Sequence, residues 1–105
     1  MKIDDEIIKR MEEIKNKYPF YVVIFKMGGY ARVIQNDVYI VCNRFDTTVK
    51  QIDNSLIMSS FSINKVKHMV DKMAFDKISN LTVDIEKGFE IDLINDLEDS
   101  NKYEE

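Results

Sequence analysis

The chain has a single cysteine, Cys42, so no internal disulfide can form. That scarcity excludes the disulfide-stapled secreted scaffolds and fits a cytoplasmic setting. Cys42 falls in an apolar stripe, where a free cysteine serves as a small buried hydrophobe. One proline and three glycines leave little room for long linkers, and no internal repeat or low-complexity tract interrupts the chain. No apolar run approaches the roughly 18 residues of a membrane span. The opening residues, MKIDDEIIKR, alternate charge with isoleucine and lack the apolar core of a signal peptide.

Catalytic machinery is equally scarce. The one histidine, His68, lies among Lys65, Lys67 and Lys72, the setting of a solvated helix position. No His, Cys and Asp cluster has zinc spacing, no serine sits in a nucleophile elbow, and the acidic C-terminal stretch lacks the ordered pattern of a calcium loop. Gly28-Gly29 is too short to cradle a phosphate, with no Gly-Lys-Ser/Thr after it. The expectation is a binding protein, not an enzyme, with no cofactor, no metal and no catalytic residues.

What the chain does have is the composition of one small globular domain: 105 residues, 45% of them hydrophobic, with both signs of charge. The formal net charge of −4 is unevenly spread. Residues 84–105 carry nine acids against Lys87 and Lys102, a net −7, which leaves residues 1–83 at +3. A mildly basic body with an acidic arm suits a nucleic-acid or acidic partner, or simply a solubilising surface.

Ile7, Met11, Ile14 and Tyr18 fall on one helix face. Acids at Asp4 and Asp5, lysines at Lys15 and Lys17, and the stop at Pro19 predict a helix over 4–17. Tyr21 to Phe25 is a continuous β-branched and aromatic run, the pattern of a strand buried on both faces. Gly28-Gly29 predicts a tight turn, and residues 30–35 the returning strand of a hairpin. Residues 37–45 are open. Their types favour a strand, while Val38, Val41, Cys42 and Phe45 share a helix face with Asp37 placed as N-cap. Strands are predicted over 47–52 and 56–58, a helix from the Ser62 cap to about Ala74, and a strand over 78–83. Phe89, Ile91 and Leu93 alternate as in an edge strand, while Ile94 and Leu97 suit a helix. The predicted fold is α/β (α+β), a mixed sheet flanked by about three to four helices. One domain spans residues 1–98, and residues 99–105 form an acidic, frayed tail.

The segment Lys17-Tyr18-Pro19 through Tyr21-Val22-Val23-Ile24 to Phe25-Lys26-Met27-Gly28-Gly29-Tyr30 resembles the N-terminal mismatch-recognition domain (domain I) of MutS. That family has a helix, a Lys-Tyr-Pro lead-in, a hydrophobic strand and then FRMGDFYE. Leu56 to Ser62 is similar, more weakly, to its IPMAGIPYH stretch, so the likeness covers roughly residues 4–83 of a divergent standalone version. It implies a helix at 37–45. It also implies a DNA contact at Tyr30, where the family places the aromatic that wedges into mispaired bases. Arg32 stands at the family's glutamate and Gly29 at its aspartate, so a hydrogen-bond acceptor has become a cation. That suits phosphate contact or single-strand stacking more than mismatch reading. The DNA-binding residues expected from the resemblance are Tyr30, Arg32, Lys26, Gly28 and Gly29.

The clamp and ATPase of MutS have no counterpart in these residues. The resemblance therefore implies an accessory subunit for a DNA replication or repair enzyme, of the kind mobile elements and phages encode, with a polymerase-type protein as partner. The net acidic charge predicts weak DNA binding by the chain alone, and no membrane association is expected. The alternative is an independent module for mismatched, distorted or single-stranded DNA. Aromatic anchors for a protein partner are sought among Tyr21, Tyr30, Tyr39, Phe61 and Phe89.

Overall fold

A computed structural model describes residues 4–97. Helix α1 runs Asp5–Lys17 and begins as its sequence dictates, with the Ile7 amide donating to Asp4 Oδ1 at 2.9 Å. Acids fill its first turn, lysines its last, and Tyr18 closes it before Pro19. Strand β1 (Val22–Met27) then turns through Gly28-Gly29 into β2 (Tyr30–Ile34). Gly28 takes φ +62°, a conformation that costs glycine little, whereas Gly29 does not use the left-handed region.

Helix α2 (Asn36–Arg44) follows, so the open stretch at 37–45 is helical. Its β-branched residues serve an apolar helix face, where Val38 and Val41 are fully buried. Strands β3 (Thr48–Asp53) and β4 (Leu56–Ser62) form a second hairpin. Strand β4 is longer than the 56–58 predicted, because pairing with β2 carries it to Ser62. Ser62 caps a short 3-10 turn, Ile63–Lys65, accepting from the Asn64 amide, and α3 proper is Val66–Phe75. Strand β5 (Asn80–Asp84) and edge strand β6 (Glu90–Asn95) complete the fold. The stretch left between strand and helix is thus strand over 90–95, with Phe89 outside it at φ 61°. The predicted tail at 99–105 lies outside the described residues.

The six strands form one mixed sheet in the order β3-β4-β2-β1-β5-β6. Only β1 and β5 are parallel, and all other neighbours are antiparallel. Alternate residues of the central strands feed two cores. Val23, Phe25 and Met27 pack with Met11 and Ile14 beneath α1. Val22 and Ile24 pack with Val38, Val41, Met69 and Met73 beneath α2 and α3. No helix among the described residues is long and apolar enough to cross a membrane.

Asp37 does not cap α2. The N-cap is Gln35, at φ 57° and without a side-chain cap bond, and Asp37 turns inward instead. Its Oδ1 accepts from Lys15 Nζ at 2.9 Å and its Oδ2 from the Val23 amide at 3.0 Å. Lys15 Nζ also donates to the Tyr21 carbonyl at 2.6 Å and the Pro19 carbonyl at 3.4 Å. Both side chains are buried, and together they tie the end of α1 and the start of α2 to the first residues of β1. A buried pair of this kind persists only when the remaining donors and acceptors are satisfied, as they are here.

Candidate nucleic-acid interface

Strand register decides which predicted residues meet. Tyr30 lies opposite Met27 on β1 and Ser62 on β4, and Arg32 opposite Phe25 and Ser60. Thr48 on β3 continues the Arg32 row beyond Ser60, and Lys50 lies opposite Met58. Laterally paired residues share a face, so Tyr30, Arg32, Ser60, Ser62, Thr48 and Lys50 all project from the α1 side of the sheet. Phe25, Met27, Ile34 and Met58 form the apolar part of that face. Toward β3 it becomes polar, and Thr48, Lys50 and Ser60 are exposed there.

Tyr30 is open to solvent, at 56% exposure. Its strand start is pinned on both sides: the Gly28 amide donates to Glu86 Oε1 at 2.9 Å, and the Ile63 amide donates to the Gly29 carbonyl at 2.9 Å. Arg32, by contrast, is withdrawn from solvent. It is only 9% exposed, and its Nη1 is buried with no hydrogen-bond partner. Its lateral neighbours are Phe25 and Ser60, neither of which carries a negative charge. No carboxylate among the described residues pairs with it. Burial pulls its pKa down from the ordinary arginine value, and Tyr30 acts in the opposite sense. A guanidinium nevertheless stays charged under these conditions.

Lys26 does not join this group. It alternates with Phe25 and Met27 and so emerges on the opposite face, where its Nζ lies 2.6 Å from Asp92 Oδ2. Its assignment beside Tyr30 and Arg32 is corrected by the two-residue period of β1. Gly28 and Gly29 lie beside Tyr30 at the exposed turn, and a Cβ on either would meet nothing within 4 Å.

Other candidates are ordinary. His68 is exposed, with its ring edge-on to Phe45 at 6.1 Å. Cys42 is half-buried rather than buried, its Sγ 3.2 Å from Thr47 Oγ1. Among the described residues no three His, Cys, Asp or Glu side chains are grouped for a metal. Of the aromatics considered as anchors, Tyr30 and Tyr39 are exposed, Tyr21 and Phe89 half-buried, and Phe61 is core. Sequence reasoning passed over the two most exposed aromatics among the described residues, Phe20 at 77% and Phe75 at 81%. Phe20 lies in the turn after Pro19 and Phe75 is the last residue of α3, so neither falls on a helical apolar stripe that would have marked it.

A scan against models of protein families and a search of curated proteins find no match. The reading of this face therefore rests on its geometry.

Proposed function

We propose that the chain is a non-catalytic accessory module that engages unpaired DNA through Tyr30 and Arg32 in the service of a replication or repair enzyme of polymerase type. The observation that carries this reading is Arg32, whose Nη1 is buried without a partner, two residues from an exposed ring. A buried charge without a counter-ion is costly, and an arriving anion removes that cost. A phosphate fits the fork of a guanidinium. The neighbouring tyrosine offers a base a stacking surface, which only an unpaired or unstacked base can use. The accessory role follows from charge. At a formal −4 the chain supplies little long-range attraction for DNA, so a second protein must bring the strand to it.

The test is fluorescence anisotropy of labelled single-stranded, duplex and mismatched DNA with wild type, Tyr30→Ala and Arg32→Met. Single strands are expected to bind best, and weakly. Tyr30→Ala should lose about 1–3 kcal/mol. Arg32→Met should flatten the salt dependence by roughly 0.7 in log–log slope, the share of one single-strand phosphate contact. Unchanged affinity in the double variant would leave this strand a scaffold. Sub-micromolar binding by the isolated chain, with no stable protein partner, would favour a self-sufficient DNA-binding module.

A further inference from the structure

On the opposite face, α3 with the turn before it and strands β1, β5 and β6 line a groove of about 380 Å³. Ile63, Val66, Val70 and Leu93 form its apolar part, and two ion pairs, Lys26–Asp92 and Lys67–Asp71, stand at its walls. Thr82 also lines it, at only 3% exposure, and Thr82 Oγ1 is buried without a partner. A buried hydroxyl left unpaired beside open apolar space is a group that a bound chain can satisfy.

Strand β6 borders this groove and is one of the sheet's two edge strands, β3 being the other; among the described residues no strand pairs with its outer side. Its register with β5 slips: Thr82 pairs with Leu93 and Val83 with Ile91, so Asp92 is the extra residue of a bulge. Bulges re-aim side chains, and here Asp92 and Leu93 both face the groove. Leu93 and Ile94 remain about half exposed. The surroundings are acidic. Residues 84–97 hold five carboxylates against Lys87 in sequence; Lys26 neutralises Asp92, and the exposed Glu86 and Glu90 keep the β6 side of the groove acidic. A second copy pairing here would oppose acid to acid, whereas a basic chain would meet a complementary charge.

We infer that β6 accepts an extended, basic segment of a protein partner as a seventh strand, with an apolar side chain seated in the groove beside Leu93 and Thr82. Main-chain bonds to the β6 edge supply affinity, and the groove and the acids supply selection. The inference is independent of Tyr30 and Arg32, which lie on the other face, so either reading can fail alone.

The test uses the full chain and three capped octapeptides: alternating Lys-Val, alternating Glu-Val and alternating Lys-Pro. Binding is followed by amide NMR shifts and exchange. Lys-Val should shift Thr82, Val70 and Leu93 and slow exchange along β6. Lys-Pro has the same charge but lacks half the backbone donors, and should bind at least about tenfold more weakly. Glu-Val should bind least. Leu93→Lys should weaken Lys-Val binding about tenfold, and Tyr30→Ala should leave it unchanged. Equal binding of Lys-Val and Lys-Pro, shifts confined to another surface, or no binding would overturn the inference. So would peptide-independent dimerisation through β6, which would assign the edge to a second copy.

Discussion

Lys15 and Arg32 are both buried cations, 8% and 9% exposed, yet their surroundings differ completely. Lys15, in the last turn of α1, meets a carboxylate and two backbone carbonyls. Arg32 sits mid-strand on the α1 face with a buried nitrogen that meets nothing. Equal burial therefore does not mean equal purpose. A buried charge with every bond satisfied specifies how elements join. One left unsatisfied is held at a cost by the rest of the fold, and a ligand is the natural means of recovering it. The comparison separates the architecture of the helix–strand junction from the chemistry of the open face.

The largest expected effect tests the satisfied member. Lys15→Met leaves the Asp37 carboxylate buried with only the Val23 amide, and should cost about 3–5 kcal/mol in urea unfolding. The double variant Lys15→Met, Asp37→Leu should recover part of that loss, with the orphaned Val23 amide preventing full recovery. A cost under about 1 kcal/mol for the single variant would reduce the junction to an ordinary surface pair.

Arg32→Met should behave in the opposite way, matching wild type in stability or exceeding it by up to about 2 kcal/mol. Destabilisation beyond about 1 kcal/mol would make Arg32 architectural and erase the contrast with Lys15. Smaller still is the stability effect of Tyr30→Ala. The exposed ring should contribute within about 0.5 kcal/mol, so any loss of DNA binding in that variant reads as lost contact rather than lost fold.

The finest distinction is in pH dependence. Burial pushes the Asp37 carboxyl above its ordinary pKa, against the pull of the Val23 amide and Lys15. The folded chain then holds that proton where the unfolded chain has released it, so this contribution to stability falls as pH rises through the raised pKa. Asp92 runs the other way. The hydrogen bond from Lys26 lowers its pKa, and its contribution is present above the ordinary carboxyl value and lost as pH falls through the lowered one. Thermal midpoints measured from acid to neutral pH for wild type, Asp37→Asn and Asp92→Asn should give difference profiles of opposite slope. Parallel profiles would show that one assignment of sign is mistaken.

Much of the fold was legible because its signals are local. Asp4 and Pro19 bound α1, and Gly28-Gly29 marks the first hairpin. Residues 37–45 were even on residue pattern alone, because their β-branched types and their helical spacing point different ways; the resemblance implied a helix, and the chain forms one there, with Val38 and Val41 packed on the sheet. The Lys15–Asp37 pair was illegible because 22 positions separate its members, so nothing local distinguishes Asp37 from a helix cap. At the interface, the shared face of Tyr30 and Arg32 follows from alternation alone. The burial of Arg32 does not, because it depends on how Phe25 and the strands either side close around it.

The parallel pairing of β1 with β5 also has a consequence in time. Val22 lies opposite Asn80, so the most apolar strand of the sheet waits for a partner 58 positions later. As the chain leaves the ribosome, α1, β1, β2 and α2 can assemble through short loops, while the second edge of β1 stays open. Closing it requires β4 and α3 to be made first, and such long-range parallel contacts form slowly. The interval before β5 docks is when the nascent chain is most exposed to wrong strand partners.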